Sequence, residues 1–218
     1  MTTIAKEELA YCTGASALNR SAVYGLASRL FRHEPSADLL HYLMKPELKK
    51  TFDLIAPSLS ESLMKMEDIS VFLSELGIEY TRLFLGPGPH ISPYGSVHHP
   101  GEERSQLWGQ TTVDINLMMG ILGLTPQAGN SLLPDHVSIE LEFMQKLCAF
   151  EADAPAGGSE IGRIVDIQSM FLEDHLNEWL PVFCKKIDNA DPVLFYQGVS
   201  ELLRSFLESE MNREHHYS

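Results

Sequence analysis

Apolar residues recur in steps of three and four at Ile69, Phe72, Leu73, Leu76, Tyr80, Leu83 and Phe84, and the pattern then stops at Gly86-Pro87-Gly88-Pro89. That spacing puts one greasy face on a helix. Proline has no amide hydrogen and its ring clashes with the preceding turn, while glycine tolerates a left-handed ending. The spacing therefore predicts a helix over 68–85 that can run no further. The loop beyond it carries His90, Pro93, Tyr94, Ser96, His98 and His99. A helix delivering a stiff, aromatic, histidine-bearing loop has the framework of a recognition site. The plainer reading is a loop that only stops a helix.

The rest of the chain repeats the same period. Helices are expected near 6–18, 21–31, 102–122 and 135–150. A further one spans about 164–180, broken near Pro181, and another starts near Pro192. Ser36 can cap the helix after His33-Glu34-Pro35, and Pro46 suits a first helical position. Period-two runs of β-branched residues and Asn-Gly or Asp-Gly hairpin signals are missing. The fold class is all-α, a single-domain bundle over 1–218 of about 8–10 helices. Pro155, Gly157 and Gly158 make 152–162 a candidate hinge, which would permit either a monomer or a dimer that exchanges its C-terminal helices.

Sixteen basic residues against thirty acidic ones leave a net charge of −14. That argues against nucleic acid as a partner and favours a basic partner or none. Cys12, Cys148 and Cys184 form no Cys-x-x-Cys pair, which fits a reducing compartment. The start of the chain lacks the basic-then-apolar pattern of a secretion signal, and no apolar run approaches the ~20 residues of a membrane span. The expectation is a cytoplasmic protein.

Asp135 and His136 follow Pro134 at the start of a helical stripe. Asp135 reads either as a helix-start acid or, with a neutral His136, as an exposed pair for a basic or amide-rich ligand. A metal-dependent hydrolase using His90, His98 or His99 with His136 and Glu140 is the alternative. The His136-x-x-x-Glu140 spacing puts both on one face, but zinc needs three or four converging ligands and no His-Glu-x-x-His is present. Gly95-Ser96 lacks a nucleophile elbow, and the two prolines deprive the Gly86–Pro89 loop of amides for a phosphate. No metal, cofactor or catalytic residue is assigned.

Three blocks carry a family resemblance. They are Tyr80-x-x-Leu83-Phe84-x-Gly86-Pro87 with Pro93-Tyr94-Gly95-Ser96-Val97; Pro134-Asp135-His136-x-x-x-Glu140-Leu141-Glu142-Phe143-Met144; and Phe171-Leu172-x-x-His175-Leu176-x-x-Trp179-x-Pro181-x-Phe183 with Phe195-Tyr196. In order and spacing these resemble the TorD/DmsD family of cytoplasmic chaperones for molybdenum-containing reductases. The resemblance implies an all-helical fold and no catalysis. It implies binding of the twin-arginine signal peptide, and of the apo form, of a molybdenum-cofactor oxidoreductase before export. Carried over by position, the peptide-binding residues would be Arg82, Leu85, Pro93, Tyr94, Ser96, Asp135 and His136. Family members can carry tryptophan where Arg82 and Tyr94 stand. A cation at position 82 would repel a twin-arginine peptide unless Glu79 or another acid offsets it.

Overall fold

The computed structural model describes residues 17–98, 110–121, 123–124, 132–154 and 159–214. Most of these residues are helical, with an isolated bridge between Tyr94 and His136 and no strand among them. They cluster into two compact units. The first holds His33–Ser92 and Pro181–Ser218, the second Ala15–Arg32 and Pro93–Leu180. Residues 6–16 of the expected first helix, residues 102–109 of another, His99, and Pro155, Gly157 and Gly158 of the 152–162 hinge lie outside the described residues.

In the second unit, α1 (Ala17–Arg32) packs along α7 (Val137–Asp153). The small residues Ser21, Gly25 and Ser28 recur on one face of α1, and this lets the two backbones approach. Ser21 Oγ donates to the Gln145 carbonyl at 3.0 Å, and Ser28 Oγ to the Ser138 carbonyl at 2.7 Å. A Cβ on Gly25 would stand 2.7 Å from the Gln145 side-chain amide. Tyr24, Leu30 and Phe31 are buried on α1, and Leu141, Phe143, Met144 and Leu147 on α7. Glu151 near the end of α7 accepts from Arg20 and from Gln168, both at 2.9 Å. Gln168 lies on α8 (Ser159–Phe171), whose Phe171 meets Phe143 edge-on at 4.9 Å. The unit also contains α6 (Gln110–Ile121).

The first unit contains α2 (Ala37–Leu43), α3 (Pro46–Ile55), α4 (Pro57–Met64), α5 (Ile69–Tyr80) and α10 (Leu194–Glu214). Ser36 caps α2 as expected, its hydroxyl accepting from Leu39 N at 3.2 Å. Asp68 caps α5 by accepting from Ser70 N and Val71 N. The apolar stripe of α5 turns inward as its spacing predicts. Leu76, Tyr80, Leu83 and Phe84 are buried, and Phe84 sits 5.9 Å from Tyr196 and 6.0 Å from Phe183.

Two sequence expectations change here. The last turn of this helix, Thr81–Leu85, is π-helical, and it ends on extended rather than left-handed backbone: Gly86 has φ −64° and ψ 160°. The proline that follows imposes this, because its ring disfavours helical geometry at the residue before it. The chain then folds back, with Ile91 N donating to the Leu83 carbonyl at 2.7 Å. The second change concerns Pro181, which does not break its helix. Helix α9 (Asn177–Asn189) follows the π-helical turn Leu172–Leu176 and runs straight through the proline. Pro181 forfeits a bond to an earlier carbonyl, but Trp179, Leu180, Phe183 and Cys184 around it are buried, and that burial outweighs one lost bond.

The α3–α4 corner seats on α10 through one glycine. A Cβ on Gly198 would lie 2.0 Å from the Leu59 backbone nitrogen and 2.4 Å from its Cα, so only hydrogen fits. Beside it, Glu201 accepts from Ser58 N at 3.0 Å and from Ser58 Oγ at 2.7 Å, satisfying a free amide at the start of α4. Ser205 Oγ donates to the Ile55 carbonyl at 2.9 Å. Gly198→Ala should therefore lower unfolding stability by about 3 kcal/mol or more, because rigid backbone must move. Urea unfolding followed by far-ultraviolet circular dichroism measures this. A loss under about 1 kcal/mol would contradict the backbone contact.

Candidate functional site: a fastened loop over a buried acid

The segment Pro93–Val97 lies along the residues that open α7 in the second unit. Gly95 N donates to the Asp135 carbonyl at 2.8 Å, and Val137 N to the Pro93 carbonyl at 2.9 Å. The Asp135 side chain completes the fastening, its Oδ2 accepting from Ser96 Oγ at 2.6 Å and from Ser96 N at 3.2 Å. Two sequence blocks about forty residues apart are thus one structural element. The expectation that Asp135 caps the first turn of a helix does not hold. Helix α7 begins at Val137 and its cap is His136, whose Nδ1 accepts from Ser138 N at 3.2 Å. Asp135 is wholly buried, so the pair is not the exposed acid and imidazole that the sequence suggested.

Tyr94 is half-buried with its ring edge-on to His136 at 5.0 Å. Burial, and then the nearby Asp135 charge, push its phenol upward in pKa, so it stays a neutral hydroxyl. Pro93, Ser96 and His136 are buried. Arg82 and Leu85 belong to the other unit, on the last turn after α5. Leu85 is exposed there. Arg82 makes a two-pronged ion pair with Glu79, from Nε and Nη2 at 2.6 Å each, so an acid does offset the cation at position 82.

Beneath the loop lies Glu140, whose role the sequence did not disclose. Its Oε2 accepts from Trp179 Nε1 at 3.0 Å, and its Oε1 faces His175 Nε2 at 2.9 Å. A Cβ on Gly95 would stand 3.2 Å from Glu140 Oε1 and from the Trp179 ring, so glycine lets the loop rest on this pair. His98 stacks on Trp179 at 5.8 Å and 7°. The i, i+4 pair His175 and Trp179 was the available signal: both can reach one acid from the same helix face. The described side chains nominated for a metal are occupied in other ways. His136 caps α7, Glu140 holds Trp179 and His175, and exposed His90 contacts the Gly88 carbonyl. Among the described residues no three His, Cys, Asp or Glu side chains group as metal ligands.

Burial raises the Glu140 pKa, opposed in part by His175. For His175, burial acts downward, but the Glu140 carboxylate outweighs it and the imidazole is raised above its ordinary 6.5. Both shifts have the same sign: the folded unit holds protons more tightly than the unfolded chain. The His175 contribution is complete below 6.5 and is lost as pH rises through its raised folded value. Stability should fall from about pH 6.5 upward. In Glu140→Gln the carboxylate is gone, burial acts on His175 alone, and that fall should vanish. Urea titrations at a series of pH values read it, and an unchanged slope in Glu140→Gln would exclude the pair as its source.

Comparison with known proteins fits this construction. The family described as nitrate reductase delta subunit matches residues 26–185. Chaperone protein TorD of Shewanella loihica is 27% identical over 195 residues, covering 84% of this chain and 87% of that one. Its namesake in Vibrio cholerae is 23% identical over 201 residues, covering 88% and 90%. In fold, the chain is similar to a crystal structure described as a redox enzyme maturation protein from Archaeoglobus fulgidus. The TM-score is 0.51 at 18% identity, over 87% of this chain and 91% of that one. The chain belongs to the nitrate reductase delta subunit family and, over most of its length, is similar to TorD chaperones.

Proposed function

We propose that this chaperone binds the twin-arginine signal peptide of a molybdenum-cofactor reductase in the cytoplasm. It would hold the apo enzyme until cofactor is inserted, without catalytic turnover of its own. The observation that carries the reading is the fastened loop. Pro93–Ser96 is locked to Asp135 and Val137 by backbone and side-chain hydrogen bonds, which leaves Tyr94 half-buried on a rigid support. Such a loop has lost its conformational freedom before a ligand arrives, and that lowers the cost of binding. The charge of −14 favours encounter with a peptide that is basic near its start. Among the described residues, no helix is long and apolar enough to cross a membrane.

Asp135 is buried, so in this reading it acts through the loop. Its carboxylate accepts from Ser96 through both N and Oγ, which helps to hold Ser96 and, through the chain, Tyr94 in place. Charge-assisted hydrogen bonds are worth ~1.5–3 kcal/mol each. Asp135→Ala should weaken peptide affinity by roughly 10- to 100-fold while the helical spectrum is kept. Isothermal titration calorimetry with twin-arginine peptides from molybdenum reductases, against twin-lysine controls, makes the measurement. Saturable binding of one arginine peptide over its lysine control supports the function. Unchanged affinity in Asp135→Ala would show that the Asp135 fastening does not contribute to binding.

A further inference from the structure

The turn between α9 and α10 in the first unit is tied to the end of α5 by a single acid. The Glu79 side chain is only 9% exposed, yet both its oxygens are engaged. Oε2 accepts from Arg82 Nε and Oε1 from Arg82 Nη2, each at 2.6 Å; Oε1 also accepts from Val193 N at 3.1 Å. Arg82 Nη1 and Nη2 both reach the Ala190 carbonyl at 3.3 Å. Carboxylate and carbonyl together meet the guanidinium along its edge, which is the geometry that distinguishes arginine from lysine. Asp191, held at φ 49°, adds a second negative charge toward Arg82.

The occupant is at the surface although its acceptor is not. Arg82 is 48% exposed, so replacing it costs little desolvation. Apolar side chains stand out from the same stretches: Ile78 is 70% exposed, Leu85 61% and Val193 45%. We propose that Glu79 with the Ala190 carbonyl is a guanidinium-binding site, filled by Arg82 in the free chain and surrendered to an arginine of the incoming peptide. The proposal rests on the signal-peptide reading above and names where one arginine goes. The exchange swaps one ion pair for another of the same kind, and the released Arg82 returns to water. Ile78, Leu85 and Val193 then suit the apolar residues that follow the arginine in such a peptide.

The test compares the wild-type chain with Arg82→Ala and Arg82→Gln, the latter keeping a neutral donor for Glu79. Calorimetry with the twin-arginine peptide should find either variant binding about tenfold tighter, because the internal competitor is gone. Arg82→Ala with Glu79→Gln in the same chain should lose that gain. In a second measurement, millimolar argininamide should raise the melting temperature of Arg82→Ala, while lysinamide should not. Should the wild type bind the peptide while both variants bind it equally well or more weakly, the exchange is overturned and the chaperone reading stands. Were no form to bind any peptide, the signal-peptide reading would fall and the exchange with it. Equal stabilisation by argininamide and lysinamide would overturn the guanidinium site by itself.

Discussion

The second unit depends on a carboxylate with no access to water. An unpaired ion at the Glu140 position would be costly, and removing one member of a buried charged pair is more damaging than never having had it. The indole N–H of Trp179 and the imidazole of His175 face its two oxygens, and this fixes how the π-helical turn and Trp179 approach α7. The same pair forms the bed on which Gly95 rests, so the Pro93–Val97 loop inherits its height from an acid it never bonds. Tyr94 and Ser96 then follow from the backbone pairing with Asp135 and Val137.

Much of the fold could be read from residue order alone. The stripe from Ile69 to Phe84 reports a helix face because burial is set by a 3.6-residue period, and Ser36 reports a cap because its hydroxyl acts locally. The helix stop at Gly86-Pro87 was legible, although its extended ending was not. The outcome at Pro181 was not legible, because burial of Trp179, Leu180, Phe183 and Cys184 decides it. The π-helical turns at 81–85 and 172–176 had no local signal, since an extra residue in a turn is a product of packing.

The residues of the candidate site stood out in the sequence, but their contacts did not. Asp135 and His136 stand out from their neighbours, but local rules place an acid before a helix on the helix's own amides. Only the arrival of Ser96, thirty-nine positions earlier in the chain, reassigns that carboxylate to a loop. Glu140 misled in the same manner: its spacing from His136 suggested a shared ligand, whereas its partners are thirty-five and thirty-nine residues downstream. Arg82 was the reverse case. Its partner Glu79 lies one turn away, near enough for sequence to pose the question of charge compensation and for geometry to answer it.

The seat of Gly198 against Leu59 bears on how the chain is made as well as how it stands. Ser58 and Glu201, beside that contact, are separated by 143 positions. Closure of such a long span is slow, since its entropy must be lost before any contact rewards it. On the ribosome, α3 and α4 leave the exit tunnel long before α10 exists, and they wait with the surface meant for it uncovered. The whole intervening span, including the Pro93–Val97 loop, must emerge first. A chain built in this order completes its first unit only once α10 has emerged, and until then it has exposed apolar surface of the kind that calls for a chaperone.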